Sequence, residues 1–149
     1  MDLKTVIKPD SMMLSLEAST REEVIQQLSD RLKQQGVITD VEGYLQDVEE
    51  REKMGSTAIG FDVAIPHAKS ASVTQPAVAF ARLSESIYWN ADQADTVRLV
   101  FLIAVPQEQA GNEHLQILAA LSRKLMHAEV RDRLMQAETK EQILDALAS

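Results

Sequence analysis

Two of the three histidines in this sequence stand in similar surroundings. His67 follows the short apolar run Val63-Ala64-Ile65 and Pro66, inside a segment from Gly55 to Lys69 rich in glycine and small hydroxyl residues. A proline cannot donate to a sheet ladder and holds the residue before it extended. The run therefore predicts a strand that ends at Pro66 and presents the His67 imidazole at the surface on a stiff backbone. His114 comes after a second apolar run that also meets a proline, Pro106, and after a loop through Gly111. Asn112 is placed to cap the helix that follows, which puts His114 in its first turn. The partial positive charge of a helix start disfavours imidazolium there and attracts an anion.

A neutral imidazole is a good nucleophile toward phosphorus, and the N–P bond it forms stays reactive enough to pass the group onward. Two such rings at strand ends, one of them at a helix start, are a candidate phosphate-handling pair. Positioning and charge stabilisation carry most of phosphoryl transfer, and a metal is not obligatory when the donor is itself a phosphohistidine. His127 lies between two helices with Met126 and Ala128 beside it and reads as structural or exposed.

Other chemistries fit less well. Gly55 to Gly60 has the glycine spacing of a P-loop, but Phe61-Asp62 stands where Lys and Ser or Thr are required. Glu113-His114 opens like a metalloprotease helix, yet Ile117 and Leu118 occupy the place of the second ligand, so no metal is expected. No Gly-x-Ser-x-Gly elbow is present for a serine hydrolase.

The composition narrows the class further. With 149 residues, 45% hydrophobic and 26% charged, the chain is expected to form one domain over 1–149 with a genuine core. A net charge of −8 argues against general nucleic-acid binding. Leu99 to Val105 is the longest apolar run and is too short to cross a bilayer. The absence of cysteine and of an N-terminal apolar block fits a cytoplasmic protein with no targeting peptide.

The elements that must hold the two histidines are legible in turn. Met12 to Leu16 reads as an edge strand. Thr20 with Glu23 forms a capping box before Val24, Ile25, Leu28 and Leu32 at helical spacing, and Gly36 stops that helix. A second box, Thr39 with Glu42, opens a helix carrying Val41, Tyr44, Leu45 and Val48 and ending near Met54. Its final charge run, Glu49 to Lys53, is expected to be mostly solvated. Ala77–Leu83 and Ser86–Trp89 read as strands, with a polar turn from Asn90 to Asp95. Val97–Val105, apolar almost throughout, predicts a central strand buried on both faces. Three helices follow: one on Leu115, Ile117, Leu118, Leu121 and Leu125, one over Val130–Met135, and one opened by Thr139 with Gln142. The fold class expected is α/β, a single-domain sandwich with a mixed central sheet flanked by helices.

Ala64-Ile65-Pro66-His67-Ala68-Lys69, preceded by Gly55-Ser56-Thr57, resembles the active-site signature of the enzyme IIA family of the bacterial phosphoenolpyruvate-dependent sugar phosphotransferase system, fructose/mannitol class. Gly111-Asn112-Glu113-His114-Leu115, with Leu118 and Leu121-Ser122 beyond it, resembles that family's second signature. The resemblance implies that His67 accepts a phosphoryl group from the phosphohistidine of the carrier HPr. His67 then passes it to a IIB domain, which phosphorylates sugar arriving through a membrane IIC component. It implies that His114 stabilises the phosphoryl group and that Arg51 reaches the same pocket; a surface ion pair with Glu49, Glu50 or Glu52 is the alternative for Arg51. Ser56 and Thr57 are phosphate-binding candidates or turn residues, and Lys69 is a source of positive potential or a solvated side chain. No cofactor and no direct membrane insertion are expected. The alternative function is that of a nitrogen-type regulatory IIA, whose phosphorylation state controls binding to a target protein. Asp62 stands where many members have glycine, a position that aspartate tolerates if φ is positive.

Overall fold

A computed structural model describes residues 2–92, 94–108 and 112–148, with Glu113 in its backbone only. The loop expected through Gly111 lies outside the described residues. After a 3-10 turn at Leu3–Thr5 come strand β1 (Ile7–Leu16), helices α1 (Arg21–Gln34) and α2 (Val41–Lys53), and strands β2 (Ala58–Gly60), β3 (Val63–Ala64), β4 (His67–Ser70), β5 (Ala77–Tyr88) and β6 (Thr96–Pro106). Helices α3 (Glu113–Leu125), α4 (Ala128–Gln136) and α5 (Lys140–Ala148) complete the chain.

The six strands form one mixed sheet in the order β1-β5-β6-β3-β2, with β4 also pairing with β6. β6 runs antiparallel to β5 and parallel to both β3 and β4. Its continuous apolar sequence is explained by burial on both faces. Val100, Leu102 and Ala104 join a cluster with Val24, Leu28 and Leu32 of α1 and Tyr44 and Val48 of α2. Leu99, Phe101, Ile103 and Val105 join the opposite cluster with Ile117 and Leu121 of α3, Leu134 of α4 and Ile143 of α5. The expected sandwich, a mixed sheet between helical layers, is the architecture observed.

Particular expectations need correction. The strand at Val63 does not end with His67 beyond it. β3 closes at Ala64, and β4 begins at His67 and pairs with the same strand, His67 opposite Ile103. Pro66 bridges the two, since it lacks an N–H but its carbonyl still accepts from Ile103 N at 2.9 Å. The strands expected at Ala77–Leu83 and Ser86–Trp89 are one strand, β5, with a register shift between Arg82 and Ile87. β1 begins earlier than expected, at Ile7, and carries Pro9 where an edge strand tolerates it.

The caps divide. Thr20 Oγ1 accepts from Glu23 N at 3.2 Å and Thr139 Oγ1 accepts from Gln142 N at 3.1 Å, as their boxes require. The Thr39 box does not form: Asp40 is the N-cap of α2, and the Thr39 hydroxyl donates to Ser72 O. Asn112 does precede α3, but it caps through its carbonyl, which accepts from Gln116 N at 2.8 Å, and not through its side chain.

Candidate functional site

Alternation along a strand sends neighbouring side chains to opposite faces. Ala68 packs into the α1/α2 cluster, so His67 turns toward the face covered by α3. α3 starts at Glu113, so His114 lies in its first turn, and that turn brings its ring to His67. The two ring centroids are 5.8 Å apart and the planes differ by 37°. The pair predicted from two distant motifs is thus one site.

His67 is 8% exposed. The expectation that its ring stands free at the surface is corrected, because β4 continues the sheet past Pro66 and embeds the residue. His67 Nδ1 is 2.8 Å from Ile65 O. A carbonyl only accepts, so Nδ1 carries the proton, and in the neutral ring Nε2 holds the lone pair. Among the described residues Nε2 has no hydrogen-bond partner. Burial holds the His67 pKa below its usual 6.5 and Arg51 adds to this, while the bond to Ile65 and the nearby Glu52 charge oppose it. The His114 pKa is also lowered, first by burial and then by the positive charges of Lys69, His67 and Arg51. His114 Nδ1 is buried with no partner among the described residues. Both rings are therefore neutral near pH 7, the state a nucleophilic imidazole needs.

Arg51 lies in the last turn of α2, donates to Gly55 O at 2.9 Å, and forms no ion pair among the described residues. Its guanidinium is close enough to depress both imidazoles. The surface ion pair considered for it is not what the structure shows; Glu50 pairs with Lys53 and Glu49 with Arg21. Lys69 is exposed, yet its charge reaches His114.

The hydroxyls at 56 and 57 have different surroundings. Ser56 Oγ accepts from Ala58 N at 3.1 Å and from Asn90 Nδ2 at 2.7 Å, which leaves its own proton available to a ligand. Thr57 is buried and its hydroxyl is bound to Glu52 Oε1. That departs from the expectation of a phosphate donor and makes Thr57 part of the support beneath the site. His127, at the start of α4, sits among Arg123, Lys124, Glu129 and Val130, away from the pair. Asp62 has φ 63°, the positive value that aspartate was expected to tolerate, and Phe61 before it has φ 59°.

Glu52 was missed. It falls in a charge run that reads as solvated, yet it is 8% exposed. The signal was available: Tyr44, Val48 and Glu52 are spaced four apart, and all three are buried on one stripe of α2. Among the described residues no group of three or more His, Cys, Asp or Glu could hold a metal ion. A surface hollow lined by Glu17, Ser19, Glu85, Tyr88 and Thr96 opens at the opposite end of the β5–β6 pair and holds no residue of the histidine site.

A family model described as "Phosphoenolpyruvate-dependent sugar phosphotransferase system, EIIA 2" matches residues 5–149. The chain is 40% identical over 147 residues to the fructose-specific EIIA component of Haloferax volcanii, covering 99% of this chain and 95% of that protein. It is also 40% identical over 148 residues to the 2-O-alpha-mannosyl-D-glycerate-specific EIIABC component of Escherichia coli, where it covers 99% of its own length but spans only 22% of that longer protein. Among solved structures, the nitrogen regulatory protein IIA-Ntr of Neisseria meningitidis matches with TM-score 0.87 at 29% identity, covering 96% of this chain and 97% of that one. The complex of enzyme IIAMtl with phosphorylated IIBMtl from Escherichia coli matches with TM-score 0.81 at 28% identity, covering 96% and 99%. With the family model spanning nearly every residue and both histidine motifs meeting in one place, the chain belongs to the EIIA 2 family of the phosphoenolpyruvate-dependent sugar phosphotransferase system, whose members are phosphoryl carriers.

Proposed function

We propose that His67 accepts a phosphoryl group from the phosphohistidine of an HPr carrier, or of an HPr-like domain, and passes it to a IIB domain that serves a membrane IIC component in sugar uptake. The His67 Nε2 lone pair attacks phosphorus, the donor's N–P bond breaks, and its electron pair returns to the donor imidazole. His67 keeps its Nδ1 proton on Ile65 O throughout. His114 and Arg51 stabilise the charge on the transferring oxygens, and the Ser56 hydroxyl is a further donor to them. The relay uses neither metal nor cofactor, takes its phosphate from a soluble carrier in the cytoplasm, and employs residues 1–149 as one EIIA unit.

The observation that carries this reading is the 5.8 Å spacing of two neutral rings, one with Nδ1 fixed and Nε2 unpartnered among the described residues. Exposed Met54, three residues after Arg51, and exposed Leu115, next to His114, supply apolar surface for a protein partner. The test is incubation with phosphorylated HPr. Wild type should take up acid-labile, alkali-stable phosphate and pass it to IIB, and His67→Ala should take up none; full labelling of that variant rejects the reading.

The match to IIA-Ntr favours a second reading, a regulatory module that binds a target according to phosphorylation at the same histidine. The 40% identity to sugar-specific components favours transport. Transfer onward to a sugar-system IIB separates the two.

A further inference from the structure

We propose that Glu52 is a positioning residue for His67, holding the imidazole in its Nδ1–H tautomer through a relay that runs from Glu52 to Thr57 to Ile65 to His67. This deepens the reading of His67 as acceptor and rests on it.

Glu52 is the one buried acidic side chain among the described residues. A buried carboxylate is costly unless donors surround it. Here Thr57 N donates to Oε2 at 3.2 Å, the Thr57 hydroxyl donates to Oε1, and Trp89 Nε1 donates to Oε1 at 3.4 Å. None of these donors is a cation; Arg51, next in sequence, turns to Gly55 O instead. The Glu52 charge acts on the His67 ring, and the same side chain clamps the turn at Thr57.

From that turn the relay is continuous. Ile65 N donates to Thr57 O at 3.0 Å, and His67 Nδ1–H donates to Ile65 O at 2.8 Å. A shift of Thr57 moves Ile65, whose carbonyl decides which ring nitrogen carries the proton. The charge acts in the same sense. A ring phosphorylated on Nε2 that retains its Nδ1 proton is cationic, and the Glu52 charge favours that state while Arg51 opposes it. Adjacent residues of α2 then have opposite tasks: Arg51 answers the phosphoryl oxygens and Glu52 answers the ring. A glutamine cannot do both jobs of Glu52. If its amide nitrogen takes the Oε1 place to donate to the Thr57 hydroxyl, it opposes the Trp89 N–H; in the Oε2 place it opposes the Thr57 N–H.

The test uses the full chain with labelled histidine and reads imidazole nitrogen spectra of the unphosphorylated protein, alongside the rate of acceptance from phosphorylated HPr. In wild type His67 should be in the Nδ1–H form. In Glu52→Gln the Nε2–H form should appear, the His67 titration midpoint should fall, and acceptance should slow about tenfold. A folded Glu52→Gln with the wild-type tautomer, midpoint and rate overturns the proposal. If Glu52→Gln does not fold, the Thr57 pair decides. Thr57→Val should show the Nε2–H form and Thr57→Ser should keep the wild-type spectrum; a wild-type spectrum for Thr57→Val overturns the proposal. Because the spectra need no phosphate, a label found away from His67 rejects the acceptor assignment without altering this result.

Discussion

Tyr44 donates its buried hydroxyl to Ile103 O at 2.8 Å, and Ile103 is the residue of β6 that stands opposite His67 in β4. One hydrogen bond therefore ties the first turn of α2 to the strand that supports the acceptor. Burial raises the Tyr44 pKa well above its ordinary value, so the phenol stays protonated and the bond persists into alkaline solution. Tyr44→Phe leaves a buried carbonyl without this donor and should cost about 1–3 kcal/mol, read from urea unfolding at unchanged slope. Phosphoryl acceptance by the folded fraction should remain.

Stability should depend on pH through the histidine pair. Both rings have pKa values lowered from 6.5 in the folded chain, so the unfolded chain binds more protons as the pH drops. Their contribution is intact above the unfolded pKa of about 6.5 and is lost as pH falls below it toward the folded values. Melting temperatures between about pH 5 and 8 should therefore decline on the acid side. The double variant His67→Gln, His114→Gln should flatten that decline, and an equal slope in the variant would place the effect elsewhere.

Asp62 separates backbone strain from side-chain bonding. It has φ 63°, its carboxylate accepts from the Thr96 hydroxyl, and its carbonyl accepts from Arg98 N and Leu99 N. Asp62→Ala loses the Thr96 bond and also meets the left-handed penalty, while Asp62→Gly loses the bond alone. The glycine variant should be the more stable of the two by about 1 kcal/mol in denaturant unfolding.

Arg51 should matter to rate more than to folding. Its charge lowers both imidazole pKa values, so Arg51→Ala should raise both midpoints in a histidine titration. Loss of its charge from the transferring oxygens should slow acceptance by about 100-fold. Arg51→Lys should restore the midpoints better than the rate, because an ammonium keeps the charge without the guanidinium fork.

Patterns that repeat, or that end in a stereochemical stop, were the readable part of this chain. Val97–Val105 gave away the central strand because burial on two faces leaves no polar position. Pro66 and Pro106 marked where the ladder is interrupted, and Thr20 and Thr139 marked helix starts through hydroxyls whose partners lie three residues on. What the residues could not announce depends on partners distant in sequence. β2 is only Ala58–Gly60, too short to carry a period, and exists because it pairs with β3. Thr39 has a capping residue's chemistry, but Ser72 O claims its hydroxyl. Thr57 looks like a phosphate donor in a small-residue loop until Glu52 is placed beneath it. The two motifs mark His67 and His114 as a candidate pair, at a strand end and a helix start, without giving the distance between the rings. Their 5.8 Å encounter follows from α3 packing over the face of the sheet opposite Ala68.

The most direct measurement on the central claim is to find where the phosphate sits after exchange with phosphorylated HPr, by nitrogen–phosphorus coupling in the intact labelled protein. The account predicts a single N–P bond at Nε2 of His67, with Nδ1 still protonated. A phosphate on His114, or on Nδ1 of His67, would contradict it.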